Sequence, residues 1–306
     1  MTGKEFKPIF TPSVTKLPTL QIKNSLSKAY GRISYPTILA LRDQLSLTTW
    51  LSLGAIIQTI LYLVLGRLSF LPVFLLLLYR TGNTYLQATG RLPNPYMRDV
   101  IVSKVSAQIP SPSTGAFGSI PSNDSIVVFH LAARCNHPLG VLAPGMKDVG
   151  TYFTDMMADL EAHSEDYGML GVQTYSGLGG RATNNETLIV GYFRSIEGVH
   201  KFAHGEVHCQ GWDWWNRNIK GLDHIAILHE IYEVPRGNWE NIYVNSQPTG
   251  LGAARFRVGG EKEERWVSPL VDATRGVLAT SNGRLGRKQI AEHQKSEVTI
   301  YADSPN

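Results

Sequence analysis

Between Leu45 and Gly66 the chain carries no charged side chain; the run reads LSLTTWLSLGAIIQTILYLVLG. About 20 apolar residues in a helix are enough to cross the hydrocarbon core of a bilayer. Arg67 interrupts the run, and Leu68 to Tyr79 resumes it as LSFLPVFLLLLY, too short for an ordinary crossing. Pro72 and that short length suit a re-entrant or in-plane helix. The competing reading is a buried hydrophobic hairpin of a soluble protein. A cleaved signal peptide is disfavoured, because the run starts only at Leu45 and no small-residue cleavage pattern follows it.

Charge chooses among the partners such a chain could have. Lys4, Lys7, Lys16, Lys23, Lys28, Arg32 and Arg42 precede the run and face only Glu5 and Asp43, within a formal net charge of +4. A basic arm suits nucleic acid or an anionic membrane surface. The apolar run decides for the membrane, and no nucleic-acid partner is expected. Arg80, Arg91, Arg98 and Lys104 make the other flank basic too. Positive residues favour the cytosolic side, so both flanks are expected there, with a hairpin or monotopic loop between them. This implies attachment to the endoplasmic reticulum membrane with the catalytic domain on the cytosolic face. Cys135 and Cys209 are the only cysteines, too few for a disulfide scaffold, in keeping with a reducing compartment. Asn185-Glu186-Thr187 matches the glycan acceptor pattern, which would be used only in the lumen.

The chain divides into a basic segment (1–44), a membrane-inserted segment (45–80), a Pro-rich linker (81–122), a compact domain (123–258) and a charged C-terminal extension (259–306). Within the compact domain, Ser125 to Ala133 is β-branched and reads as a strand. Val149, Phe153, Met156, Met157 and Leu160 recur at helical spacing between Met146 and His163. Met169 to Tyr175 and Thr187 to Phe193 are two further strands, joined through the glycine-rich SGLGGR loop. A helix starting at Ser195 follows, then a strand from His224 to Val234 and a short strand from Trp239 to Asn245. The order β-α-β-β-α-β is the ferredoxin-like unit, an α+β fold.

The second helix carries the chemistry. Its segment FAHGEVHCQGWDWWN, Phe202 to Asn216, sets His204 and His208 four apart, with His200 one turn earlier and Trp212, Trp214 and Trp215 after them. Residues four apart share a helix face. Ile196, Val199, Ala203, Val207 and Trp214 form an apolar stripe with His200, His204 and Trp215 along its edge, where a pocket wall would lie. Gly205 and Gly211 weaken the helix, and a break is expected near one of them. In the strand HIAILHEIYEV, alternation places Ile225, Ile227, His229 and Ile231 on one face, toward this helix, and Glu230 on the other, where a second subunit would pack. His229 could then approach His204. Such histidines can equally be inert surface or core residues. His204, His208 and His229 could supply three nitrogens to zinc or non-haem iron, or one of them could hold a haem, but the sequence lacks HExxH. No P-loop, GxSxG or CxxC is present.

FAHGEVHCQGWDWWN followed by HIAILHEIYEVPRGNWENIYVNSQPTGLGAA resembles the fungal and bacterial monooxygenase-like family related to antibiotic-biosynthesis monooxygenases. Its fungal members lie in secondary-metabolite pathways, including terpenoid ones such as that of fumagillin. The resemblance covers about residues 85–285 and is most specific over 200–252. It implies a dimeric α+β barrel in which two ferredoxin-like sheets pack together. A hydrophobic pocket would lie between sheet and helices, and oxidation would proceed without an organic cofactor. The same barrel hosts haem enzymes such as aldoxime dehydratases, and isomerases, so fold alone does not settle the reaction. The leading expectation is a membrane-attached monooxygenase acting on a hydrophobic terpenoid or polyketide intermediate. His204, His208 and His229 are the expected catalytic residues. His200, Trp212, Trp215, Tyr243 and Asn245 are expected to bind substrate. No cofactor is expected in the leading reading, haem or non-haem iron in the alternatives, and the partner is a second copy of the chain. A cyclase or pericyclase of the same substrates, a haem-dependent dehydratase and a non-enzymatic carrier are the competing functions.

Overall fold

The computed structural model describes residues 5–15, 44–177, 186–259 and 264–287. The Asn185 sequon start, most of the SGLGGR loop and most of the basic arm lie outside these residues.

Helix α1 (Leu47–Leu65) is capped by Ser46, whose hydroxyl accepts from the Thr49 N–H at 3.2 Å. Gly66 takes φ 58° and ψ −143°, a backbone shape that favours glycine and ends the helix. The 3-10 turn Gly66–Phe70 folds back on α1: Gln58 donates to the Ser69 hydroxyl at 3.0 Å, and the Tyr62 and Phe70 rings lie 5.8 Å apart. Helix α2 (Leu71–Ala88) then runs well past Tyr79, so the second apolar helix is longer than the sequence pattern predicts. Neither helix buries a single residue.

The ferredoxin-like unit is present as expected. Strand β2 (Ile126–Cys135) leads to helix α3 (Met146–Ala162), then β3 (Met169–Ser176) and β4 (Thr187–Phe193). Helices α4 (Ile196–Ala203) and α5 (Glu206–Asn218) connect to β5 (Ile225–Val234). The sheet order is β3-β4-β2-β5, with every pairing antiparallel. Phe129 pairs with Ile231, His130 with Glu230 and Leu131 with His229, so alternate residues face opposite sides. The helix side buries Val127, Phe129, Ile189, Phe193, Val199 and Phe202 together. Gly198 permits this closeness: a Cβ there would meet the Tyr167 carbonyl oxygen at 2.0 Å.

The other side of the sheet differs from expectation. The 81–122 stretch, read as a linker, contains strand β1 (Ile101–Ala107). It pairs with β6 (Tyr243–Ser246), shorter and later than the predicted Trp239–Asn245, and with β9 (Leu270–Asp272) from the C-terminal extension. This second sheet packs Val105, Ala107 and Leu270, together with Leu251 of the 3-10 turn Gly250–Ala253, against Ile126 and Leu170, with Val128 and Tyr192 partly covered. Thus the face assigned to a second subunit is covered in part by the chain itself. Lys104, counted among the basic flank, is 7% exposed and donates to the Ala279 carbonyl, so it is not a membrane-facing charge. A hairpin of β7 (Phe256–Val258) and β8 (Arg265–Val267) adds a smaller core with Phe117, Val271 and Leu278.

Residues from before the apolar helices join these late strands. Ile9 N–H donates to Leu270 at 3.0 Å, Asp272 N–H to Lys7 at 2.9 Å, and Ser13 and Trp266 exchange two backbone bonds. Residues 7–13 are therefore part of the same folded body as the strands that follow α2.

Candidate functional site

The predicted histidine helix is two helices. Ser195 caps the first, accepting from the Gly198 N–H at 3.4 Å. His204 terminates that helix and Gly205 caps the next, so the break falls at one of the two expected glycines. Gly211, the other, stays helical. A Cβ there would meet Met156 Cε at 2.5 Å, so its role is to let α5 approach α3. The consequence for the histidines is specific: His204 and His208 do not share one helix face by i,i+4 spacing, as the sequence pattern predicts. His204 ends α4, and His208 lies in the first turn of α5.

The break opens a cavity of about 530 Å³ between the sheet and the three helices. Phe129, Leu131, Ala133, Ile227, His229 and Ile231 form its sheet wall. Val149, Tyr152, Phe153 and Met156 of α3 form a second wall; three of them read from sequence as core periodicity, and Tyr152 is not singled out there. His200, His204, His208, Trp212, Trp214 and Trp215 come from α4 and α5. The structure thus brings together six of the eight residues singled out from sequence. Tyr243 and Asn245 are not among the cavity's lining residues. They lie on β6 in the second sheet, where the Tyr243 hydroxyl accepts from the Gly252 N–H at 3.1 Å and burial pushes its pKa up.

The imidazoles differ in setting. His200, His204 and His229 are exposed. The His204 Nδ1 sits 2.7 Å from the His200 carbonyl oxygen, which can only accept. The Nδ1 therefore carries the hydrogen, and in neutral His204 the Nε2 lone pair is free to accept a proton. His208 is half-buried, with its ring 5.4 Å from Phe202. Its Nδ1 is buried and has no hydrogen-bond partner. Desolvation lowers its pKa below the usual 6.5; the Ala203 carbonyl opposes this, and charge on His204 or His229 reinforces it. A neutral, underbonded imidazole in an apolar wall can accept a proton from a substrate, or orient a substrate hydroxyl or carbonyl. Among the described residues no three His, Cys, Asp or Glu side chains are placed to share a metal ion. The three-histidine iron or zinc set considered from sequence therefore does not assemble.

On the opposite face Glu230 does not point to the cavity. Its carboxylate accepts from the Tyr232 hydroxyl at 2.7 Å and lies 3.7 Å from His130 Nδ1, a cross-strand arrangement on the exposed surface.

Residues 126–251 match the family described as monooxygenase af470-like. The protein named monooxygenase af470 of Aspergillus fumigatus is 38% identical over 250 residues, covering 81% of this chain and 90% of the relative. Among solved structures, aldoxime dehydratase OxdRE in complex with butyraldoxime aligns with a TM-score of 0.37 at 12% identity, over 48% of this chain and 42% of the other. A putative antibiotic biosynthesis monooxygenase from Deinococcus radiodurans aligns at 0.25 and 12%, over 35% of this chain and 91% of the other. TM-scores this low carry no argument about chemistry.

Proposed function

The chain belongs to the monooxygenase af470-like family, and from that premise we propose that it oxidises a hydrophobic secondary-metabolite intermediate, of terpenoid or polyketide type, in the cavity between sheet and helices. The observation that carries the reading is the buried His208 Nδ1, without a hydrogen-bond partner in a cavity that, apart from the other imidazoles and Cys209, is lined by aliphatic and aromatic side chains. An unmet nitrogen in such a wall is stabilised by a polar group brought in by the ligand. His208, neutral at physiological pH, takes a proton from an activated methylene, and the resulting carbanion reacts with dioxygen. The balance closes on the substrate: one CH2 and one O2 give one C=O and one water, with the carbon supplying all four electrons. His204 Nε2 and His229 stand at the rim as the next proton acceptors. Trp212 and Trp215 wall the cavity, and this step draws on no organic cofactor. A haem alternative predicts a Soret band in the absorption spectrum of the purified protein, and its presence would replace this scheme.

The same reading places α1 and α2 in the membrane of the endoplasmic reticulum with the folded domain on the cytosolic face. Supporting this are the two helices without a buried residue and the backbone pairing of Ile9 and Ser13 with strands that follow α2. A single crossing would put those paired segments on opposite sides of the bilayer. Glycan acceptor tags placed before Phe6 and after Arg287 should both remain unmodified; modification of one alone contradicts the arrangement. Two copies meet in this reading across the part of the outer sheet face left open by β1, β6 and β9, where Tyr175, Leu228 and Tyr232 are 46%, 42% and 47% exposed.

The test of the reaction is oxygen labelling. Extract from producing cells lacking this protein is incubated with membranes containing it under labelled dioxygen. The expected product carries one labelled oxygen and its formation consumes oxygen. A product of unchanged mass, formed equally well without oxygen, would sink oxidation in favour of cyclisation.

A further inference from the structure

The loop between β2 and α3 is bound on one side and bare on the other. On its inner side the Cys135 thiol donates to the Gly140 carbonyl at 2.9 Å, and the Asn136 N–H donates to the His224 carbonyl at 2.7 Å. A Cβ on Gly145, where φ is 78°, would meet Leu222 at 2.5 Å. On its outer side Leu139 and Leu142 are 52% and 62% exposed. Leu139 caps and Leu142 ends a single 3-10 turn, Gly140–Leu142, and residues three apart in such a turn point the same way. Two leucines thus face outward from a loop whose inner side is tied to the domain.

What lies next to them decides what covers them. Gln44 stands three residues ahead of α1, and its side-chain amide bridges this loop: Nε2 donates to the Leu139 carbonyl at 2.7 Å, and Oε1 accepts from the Val141 N–H at 3.2 Å. The start of a helix long and apolar enough to cross a membrane is therefore clamped to the same turn that displays the leucines. Whatever bilayer receives Leu47 and the residues after it arrives at Leu139 and Leu142 as well. The loop continues directly into α3, whose Val149 and Tyr152 line the cavity.

We propose that the Leu139–Leu142 turn is a membrane-docking contact for the acyl-chain boundary of a phospholipid bilayer, seating the domain so that the α3 end of its cavity faces the lipid. A lipophilic substrate then enters without crossing water. This rests on the reading that α1 and α2 are embedded, and the experiment separates the two. The full chain carrying Cys209→Ser receives one new cysteine at a time, Leu142→Cys, Leu63→Cys or Ser113→Cys; Cys135 is fully buried and stays unlabelled. Each variant is labelled with bimane and reconstituted into phosphatidylcholine vesicles with and without doxyl-labelled lipid. The expected result is at least about twofold quenching at positions 142 and 63 and none at 113. Quenching at 63 with none at 142 overturns the docking turn while leaving the embedded helices standing. No quenching at 63 overturns the membrane reading itself, and the docking turn with it.

Discussion

The two faces of the four-stranded sheet are built from the same strands and end in opposite states. Toward the helices, Phe129, Leu131, Ile227 and Ile231 meet a break at Gly205 and leave about 530 Å³ unfilled. Toward the second sheet, Ile126, Leu170, Val105 and Leu270 close to between 1% and 4% exposure. Protein interiors are ordinarily packed to the density of organic crystals, and an unfilled cleft of this size lined mainly by apolar side chains is the usual form of a small-molecule site. The polar groups follow the same division. On the closed side the Tyr243 hydroxyl has its backbone partner and the buried Ser268 hydroxyl has none; on the open face the unpartnered His208 nitrogen belongs to a residue that lines the cavity. The lesson is that residue type alone does not mark a site; an unspent hydrogen-bonding group beside unspent volume does.

Substitutions on the two faces should separate turnover from stability. The largest effect is expected from His208→Phe, which keeps an aromatic ring but removes the proton acceptor. Loss of a positioned general base costs roughly 100- to 10,000-fold in rate, while the thermal midpoint should change little; oxygen uptake and calorimetry check the pair. Glu230→Gln, one residue along from His229 but on the other face, should leave turnover within about twofold of the parent; a loss as deep as that of His208→Phe would erase the contrast between the faces. Next comes Leu170→Ala in the closed core, where truncating a buried leucine costs about 2–5 kcal/mol. Denaturant titration should show that loss, with activity per folded molecule retained.

A smaller effect is expected from pH. The folded state holds the His208 pKa below 6.5, so on acidification the unfolded chain takes up its proton first. Stability from this group is complete above about 6.5, falls as pH drops toward the lowered folded value, and then levels. His208→Gln should flatten that part of the pH profile of thermal stability; an unchanged profile would mean the histidine is not desolvated. Smallest of all, Tyr232→Phe removes one solvent-exposed hydrogen bond to Glu230, and calorimetry should find its thermal midpoint indistinguishable from the parent's.

Much of this architecture was legible before any coordinates. The strands Thr187–Phe193 and Ile225–Val234, the helix Met146–Ala162 and the weak point at Gly205 follow from periodicity and glycine placement, because each segment is long enough for its pattern to repeat. Five cavity residues, His200, His204, His208, Trp212 and Trp215, follow from the histidine segment and His229 from strand alternation, although the single continuous helix expected for the first five breaks at His204. What stayed hidden was short or disguised. Strand β1 spans seven residues between proline-rich stretches and buries a lysine at position 104, and β8 and β9 have three residues each. A strand of that length is defined by its neighbours rather than by its own alternation, and for β1 and β9 those neighbours come from more than a hundred residues away in sequence. The sequence points Tyr243 and Asn245 toward substrate because nothing local reveals that their strand joins the second sheet.

The account stands or falls on which face holds the ligand. Detergent-solubilised full-length protein should be photolysed with a neutral long-chain diazirine probe and its cross-linked peptides mapped by mass spectrometry. Within the folded domain, the expected cross-links fall in Phe202–Trp215, Phe129–Ala133 and Ile227–Ile231, and are competed by the lipophilic cell extract. Cross-links confined to Ile101–Ala107 and Tyr243–Val258, with the cavity segments unlabelled, would contradict it.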